Sequence, residues 1–488
     1  MSPQQTPFAA IVAAAVLLFA PWQECVPAEI AHLEGEMVGE VTTDSAILQS
    51  RLTGPKIDDE GDVPGAQGTA RFEFAEDRVF TAARQTPWIE AKPDCDYVVK
   101  TKITGLKPDT RYDYRLVFGP DKDDTRQGPT RTFKTLPDRD TAARISFVVV
   151  TGMNYHSFHH GRGPEGKRAY RGPDKHLGYP GLAAIRKLEP DFFVGTGDNV
   201  YYDHPRKTRA QTVVQLRKKW HEQFVQPRYV ELFAEVPTYW EKDDHDHRYN
   251  DCDTAGDRPP SNELGIRIFK EQVPVVDPND ANAVTYRTYR AGKLLQIWLV
   301  ENRDYRSPNP MPDGPEKTIW GRTQRQWLKR TLLESDATFK ILISPTPMVG
   351  PDDVYKKDNH TNPRGFRHEG TAFFDWAKEN GFLQRGLYFA CGDRHWQYHS
   401  IHPTGFEEFS CGALVDANSR MGVLPGAKRG TDPDAKVKQP YTSKRPSGGF
   451  LNVVIEPAAQ GKKATAKFDF YDENGLLLYS AAKTAPDR

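Results

Sequence analysis

The feature that most constrains the fold is a set of short apolar runs that lack polar/apolar alternation. They are ISFVVV (residues 145–150), DFFVGTGD (191–198), LLQIWLVE (294–301), KILISPTP (340–347) and GLYFACGD (386–393). Such runs are typical of strands covered on both faces. The helical patterns between them are GLAAIRKL (181–188), TQRQWLKRTLLES (323–335) and GTAFFDWAKENG (370–381). Strands alternating with helices predict an α/β domain over residues 143–488.

Residues 29–138 have a different pattern. EMVGEVTTDSAILQSRL (36–52) alternates apolar and polar residues, as expected of strands with one buried face. ITGLKPDTRYDYRLVFGP (103–120) places tyrosines after a Pro-Asp-Thr turn and is similar to the tyrosine corner of fibronectin type III or immunoglobulin-like domains. We therefore predict an all-β sandwich here. Toward the C-terminus, residues 449–481 again predict strands, and the polar residues 428–446 predict a surface loop.

The first 28 residues predict a secretory signal. The apolar run at residues 8–20 is shorter than the roughly 20 residues that a membrane-spanning helix needs, and Val-Pro-Ala at 26–28 resembles a cleavage site. Export to the periplasm, the cell surface or the medium is expected, with no transmembrane segment after signal removal. The chain has 66 basic and 66 acidic residues, and this balance offers no nucleic-acid-binding signature.

Polar residues follow three of the predicted strands, at the point where each strand ends. Asp198 and Tyr201 follow the second run, Asp244 follows Thr-Tyr-Trp, and Asp393 and His395 follow the last run. Because ligands of α/β folds bind beyond the carboxyl ends of strands, these side chains are expected to meet. The residue types suit two cations, with Asp198 as the bridging carboxylate and Tyr201 as a phenolate ligand of trivalent iron.

Several segments together resemble one known family. GDNVY (197–201), DDHD (243–246), GDRH (392–395), ISPTPMVGPD (343–352) and ENRDYRS (301–307) resemble the alkaline phosphatase D (PhoD-like) family of the metallophosphoesterase superfamily. The resemblance implies an α/β metallophosphoesterase-type sandwich of mixed sheets flanked by helices, preceded by the all-β domain. The residue roles it implies are metal ligands at Asp198, Tyr201, Asp244, Asp393 and His395, a catalytic histidine at His245 and a phosphate contact at Arg303.

The family's metal set would be Fe3+ with one or more Ca2+ ions. The chain departs from the family after the first strand, where a Ser-Cys whose thiolate binds iron is replaced by Thr151-Gly152. Asn154 and His156 follow as additional candidate ligands. A site of nitrogen and oxygen ligands is less selective for iron, so Zn2+ and Mn2+ are alternatives.

The resemblance implies a phosphoesterase in which a metal-bound hydroxide attacks phosphorus, and the predicted signal adds export. Its expected partners are small phosphate esters or phospholipid headgroups. Phosphomonoesterase and phosphodiesterase or phospholipase D-like activity both stay open. A third hypothesis is a catalytically weakened binding protein, favoured by the glycine at position 152.

Overall fold

The computed structural model describes residue 1 and residues 29–59, 61–162, 169–459 and 461–486. The predicted signal, residues 1–28, lies outside these ranges except for Met1. Among the described residues, no helix combines the length and the apolar character needed to cross a membrane.

The N-terminal β region forms two layers. Its strands are β1 (Glu36–Gly39), β2 (Ser45–Arg51), β3 (Gly68–Ala75), β4 (Arg84–Gln85), β5 (Ile89–Ala91), β6 (Val98–Thr104), β7 (Arg111–Gly119), β8 (Arg126–Gln127) and β9 (Arg131–Lys134). One layer is the sheet β4-β3-β7-β8, with β5 and β9 paired to β3 and β7, and the other is β1-β2-β6. The Tyr112 hydroxyl accepts a hydrogen bond from the Lys107 amide at 2.9 Å, as in a tyrosine corner.

Strands and helices mostly alternate as far as Cys391, and only strands and one 3-10 turn follow in the described part of the chain. The strands are β10 (Ile145–Val150), β11 (Phe192–Thr196), β12 (Thr238–Glu241), β13 (Arg287–Ala291), β14 (Leu295–Leu299), β15 (Phe339–Ser344), β16 (Leu387–Cys391), β17 (Gln397–Ile401), β18 (Glu407–Cys411), β19 (Lys438–Thr442), β20 (Gly449–Glu456), β21 (Thr465–Asp472) and β22 (Leu477–Thr484). The helices are α1 (Tyr155–His160), α2 (Pro180–Lys187), α3 (Val213–Phe224), α4 (Pro227–Phe233), α5 (Asn262–Gln272), α6 (Gly321–Glu334) and α7 (Arg367–Glu379). Short 3-10 turns lie at Pro93–Cys95, Lys175–Leu177, Arg206–Thr208 and Asp416–Asn418.

Two large sheets carry the strand ends of interest. The first has the order β22-β21-β20-β10-β11-β12-β1-β2-β6, and the second β13-β14-β15-β16-β18-β17-β19. Strands β10, β11 and β12 are parallel, as are β14, β15, β16 and β18. Because β1 pairs with β12, one layer of the N-terminal sandwich is also the edge of the first large sheet.

The apolar runs are continuous because each strand is packed on both faces. Phe147 and Val149 of β10 join a core cluster that also contains Ile341 and Ile343 of the second sheet. Val148 faces the opposite way, into a cluster with residues of α1 to α5. Side chains of β14, β15 and β16 pack likewise against α6 and α7. The two sheets therefore pack face to face between layers of helices, as the fold prediction expected.

The C-terminal strands return to the first sheet, where β20 pairs antiparallel with β10. One prediction in this region was wrong. Residues 428–446 do not form only a surface loop, since β19 pairs with β17 at the edge of the second sheet. Its alternating half-exposed pattern gives a weak strand signal, which explains why the sequence alone did not reveal it.

Candidate metal centre

The first strand end turns sharply at Gly197-Asp198. Gly197 has φ +78°, and a Cβ there would lie 2.4 Å from the Asp243 Cβ, so only glycine fits. Asp198 follows with φ 55°, a left-handed conformation that is uncommon outside glycine. The turn directs the Asp198 carboxylate to the other predicted ligands of this group: its Oδ2 lies 2.7 Å from the Tyr201 hydroxyl and 2.9 Å from His395 Nε2.

Asp198 also faces the group that follows β12. Ligand atoms of Asp198, Asp244 and His245 all lie within 4.8 Å of one another. The second oxygen of Asp198, Oδ1, is buried and accepts no hydrogen bond in the described part of the chain. Burial, opposed in part by His245 and reinforced by Asp244, raises the pKa of Asp198 well above its usual range. An unpaired buried carboxylate beside others is costly unless a cation offsets the charge.

His245 is oriented by a carboxylate that the sequence did not single out. Its Nδ1 lies 2.6 Å from Asp203 Oδ1, and Asp203 Oδ2 accepts the amide of Asn250 at 3.0 Å. Although burial alone works against it, Asp203 with Asp244 and Asp198 raises the pKa of His245 well above its usual range. Asp203 lies five residues after Asp198 in GDNVYYDHP. This closeness to the turn is the one sequence feature that could have indicated a role for Asp203 near the centre.

Asp393 lies at the end of β16 and is already paired. It forms a short ion pair with Arg394, whose guanidinium also contacts Asp352. Burial is outweighed by the positive charges of Arg394, Lys356 and Arg303, so the pKa of Asp393 lies well below its usual range. Asp393 and His395 thus have different partners, although both were predicted as ligands.

The structure places Arg303 away from open solvent. Its side chain is fully buried, and Nε donates to Asp243 Oδ1 at 2.7 Å. Nη1 donates to the Cys252 carbonyl at 2.8 Å and Nη2 to Asp358 Oδ2 at 3.3 Å. Its guanidinium thus joins two carboxylates near the centre, and the phosphate contact stays a prediction.

Asn154 and His156 lie on the α1 side of the centre. The Asn154 amide oxygen accepts the Ser157 amide at 2.8 Å and caps α1, which occupies that oxygen. The Asn154 Nδ2 is 3.5 Å from Nδ1 of His204, and the His156 ring centroid is 5.4 Å from that of His204. Both residues therefore contact His204, which links them to the loop after Tyr201, and their role as ligands stays a prediction.

A second carboxylate and an amide, neither assigned a ligand role from the sequence, also support the centre. Asp246 Oδ1 accepts the Asp243 amide at 2.7 Å, and its Oδ2 accepts the Asn199 side chain at 2.6 Å, which ties the two strand-end loops together. Asn418 Nδ2 donates to the Tyr201 hydroxyl at 2.7 Å from a segment 217 residues away. No local sequence motif marks Asn418.

The donor set fits metal ions. The group of Asp198, Tyr201, His395, Asp244 and His245 offers carboxylate, phenol and imidazole donors, and the unpaired Asp198 Oδ1 is the observation that calls for a cation. Two face-to-face sheets between helices, with these donors at the carboxyl ends of parallel strands, define a protein with a metallophosphoesterase-type fold and centre.

Comparisons with known proteins identify the family within that class. The PhoD-like phosphatase family matches residues 147–444, and the PhoD-like phosphatase N-terminal domain matches residues 27–137. The chain belongs to the PhoD-like phosphatase family. Alkaline phosphatase D of Bacillus subtilis (strain 168) is 23% identical over 334 residues, which are 63% of this chain and 54% of that protein. The chain thus spans about half the length of the curated relative it matches.

Solved structures agree on the fold. A structure of PhoD has a TM-score of 0.69 at 19% identity, covering 93% of this chain and 89% of that chain. A purple acid phosphatase, PPD1 from yellow lupin (Lupinus luteus) seeds, has a TM-score of 0.61 at 12% identity, covering 92% and 74%. At these identities the likeness shows the fold, and it confirms the predicted metallophosphoesterase-type sandwich with an N-terminal β region.

Proposed function

We propose that the protein is a metal-dependent phosphoesterase that hydrolyses phosphate esters at the candidate metal centre. The observation that carries the proposal is the convergence of Asp198, Tyr201 and His395 beside Asp244 and His245, with one buried Asp198 oxygen unpaired. Family membership supports the same reaction class.

The residues that would hold the cations are Asp198, Tyr201, His395 and Asp244, with Asp393 as the further predicted ligand. Fe3+ with Ca2+ is the proposed set, because a phenolate oxygen suits ferric iron and the resemblance to the family implies calcium beside it. Zn2+ and Mn2+ are the alternatives. When bound, such ions activate water and offset the negative charge of the phosphoryl group.

His245 is the proposed proton donor to the leaving oxygen. Its Nδ1 is held by Asp203 at 2.6 Å, which leaves Nε2 as the nitrogen that can carry a proton to another partner. The Tyr201 ring lies against the imidazole, with centroids 4.3 Å apart, and limits its rotation. Asp203 and Tyr201 thus keep the imidazole in one orientation.

Substrates of the monoester and diester types, including phospholipid headgroups, are both within the proposal. We propose export as well, on the predicted signal at residues 1–28. The alternative of a weakened binding protein has one supporting feature, the glycine at position 152. The retained donors count against it.

The test compares hydrolysis of a mono-aryl and a bis-aryl phosphate by purified protein of known metal content. Asp198→Asn should lower kcat by about 100-fold or more, the scale for removing a charge-stabilising group, and should lower bound metal. Asp375→Asn, on the exposed face of α7, is the matched control and should change neither.

Full activity and full metal content in the Asp198→Asn variant would rule out this centre. Hydrolysis of neither ester by a metal-loaded wild-type protein would favour the binding-protein alternative. A strong preference for the bis-aryl ester would assign the diester class.

A further inference from the structure

The space beside Gly152, just after β10, is occupied by the side chains of Ala413 and Asn418. Gly152 has φ +69°, and a Cβ there would lie 2.7 Å from the Ala413 Cβ, so no larger residue fits without movement. The same Cβ position is 3.4 Å from Asn418 Nδ2. Asn418 is fully buried and donates to the Gly152 carbonyl at 3.3 Å. Its amide therefore lies directly over Gly152.

From this position Asn418 reaches the phenol of Tyr201. Asn418 Nδ2 is 2.7 Å from the Tyr201 oxygen, which also lies 2.7 Å from Asp198 Oδ2 and 3.3 Å from His395 Nε2. Three polar groups thus surround one phenol oxygen. Two of them, Asp198 and His395, are candidate metal ligands, and Asn418 approaches from the side of β10.

Arg162 fixes the orientation of the Asn418 amide. Its Nη2 donates to the Asn418 backbone carbonyl at 3.0 Å and forms a short contact with the side-chain oxygen Oδ1. A guanidinium only donates hydrogen bonds, so Oδ1 must face Arg162 and the NH2 group must face Tyr201. The amide therefore donates to the phenol oxygen and cannot accept from it.

We infer that Asn418, held by Arg162, is a positioning residue for Tyr201 that fixes the phenol oxygen beside Asp198 and His395 for metal binding. The inference rests on the proposed metal centre. Asn418 acts through Tyr201, in the way that partners of metal ligands orient them. Loss of such partners typically costs 10- to 100-fold in metal affinity.

The experiment measures metal loss to a chelator, followed by elemental analysis over time, for wild-type protein, Asn418→Leu and Asn418→Ala. Leucine keeps the branched shape of the side chain and is somewhat larger, but it cannot donate. Both variants should lose metal about 10- to 100-fold faster than wild type. If iron is bound, the phenolate-to-iron absorption band should also shift. Asn474→Leu, in the exposed turn before β22, is the matched control and should behave as wild type.

Arg162→Met provides a second route if the Asn418 variants fold poorly, because Arg162 is exposed. It should accelerate metal loss less than Asn418→Leu does, since the donor stays in place with less restraint. Wild-type rates and spectra in all folded variants would overturn the inference while leaving the metal centre intact. A wild-type protein that binds no metal would overturn the proposed function and this inference together.

Discussion

Two Gly-Asp turns end strands in opposite sheets and use the same backbone device. Gly197-Asp198 follows β11 and Gly392-Asp393 follows β16, and the two aspartates have φ values of 55° and 56°. In each turn a Cβ on the glycine would collide, at 2.4 Å with the Asp243 Cβ and at 2.5 Å with the Thr196 carbonyl. Both turns bring a buried carboxylate to the place where the sheets meet.

Their electrostatic surroundings are opposite. Asp393 is paired with Arg394, and its pKa lies well below the usual range because Arg394, Lys356 and Arg303 outweigh burial. Asp198 has no basic residue other than histidine among its described contacts, and burial raises its pKa well above the usual range. The turn therefore determines only where the carboxylate is placed, and not its charge. The neighbouring side chains decide how much of its charge the protein itself offsets.

The largest difference between the two turns is expected when Arg394 is replaced. Arg394→Met would leave Asp352 and Asp393 buried without their shared cation, and breaking a buried pair typically costs about 3–5 kcal/mol. Urea unfolding of metal-free protein measures this loss. Arg144→Met removes an exposed pair with Glu456 and should cost no more than about 1 kcal/mol. Equal effects of the two substitutions would show that Asp393 is not held by Arg394.

Equivalent substitutions in the two turns should have opposite signs. In metal-free protein, Asp393→Asn should lower the free energy of unfolding by about 1.5–3 kcal/mol, because a hydrogen bond between charged groups is lost. Asp198→Asn should raise it by about 1 kcal/mol, because a buried carboxylate with one unpaired oxygen is replaced by a neutral amide. Urea unfolding in the presence of chelator measures both, and losses of similar size would contradict the distinction between the turns.

His221 in α3 lies between two aspartates, as Arg394 does, but its side chain can lose its charge within an accessible pH range. Its Nδ1 is 2.7 Å from Asp62 and its Nε2 is 2.6 Å from Asp96. Burial is outweighed by these two hydrogen bonds, which raise the pKa of His221 from 6.5 to about 9. A raised pKa in the folded state contributes stability that is fully present below pH 6.5 and is lost as the pH rises through 9.

We therefore expect His221→Gln to destabilise the protein by about 2 kcal/mol at pH 6 and by much less at pH 10. The measurement is the difference between wild-type and variant unfolding free energies at the two pH values, which removes the contribution of other titrating groups. A difference that does not change with pH would show that His221 is neutral in the folded protein.

Local sequence predicted the strands and the turns well and the pairing of side chains poorly. Apolar runs such as residues 145–150 predict strands because both faces are packed, and a strand followed by Gly-Asp predicts a carboxylate at its end. By contrast, the contact between Asn418 and Tyr201 spans 217 residues, and β1 pairs with β12 far along the chain, Gly39 with Thr238. Such contacts depend on how the sheets meet, which no local pattern records.

The smallest effect is expected at Asp203. This residue contacts His245, which lies beside Asp198. Asp203→Asn keeps the shape of the side chain but replaces the carboxylate that holds His245 Nδ1 at 2.6 Å. We expect kcat to fall roughly tenfold with KM little changed, the low end for partners that orient a functional residue.

Because His245 is proposed to protonate the leaving oxygen, the loss should be larger for an alkyl phosphate than for a nitrophenyl phosphate, whose leaving group needs no proton. Steady-state kinetics with the two esters at one metal loading measures this ratio. An equal loss on both would mean that Asp203 supports the fold of the loop and not the delivery of a proton by His245.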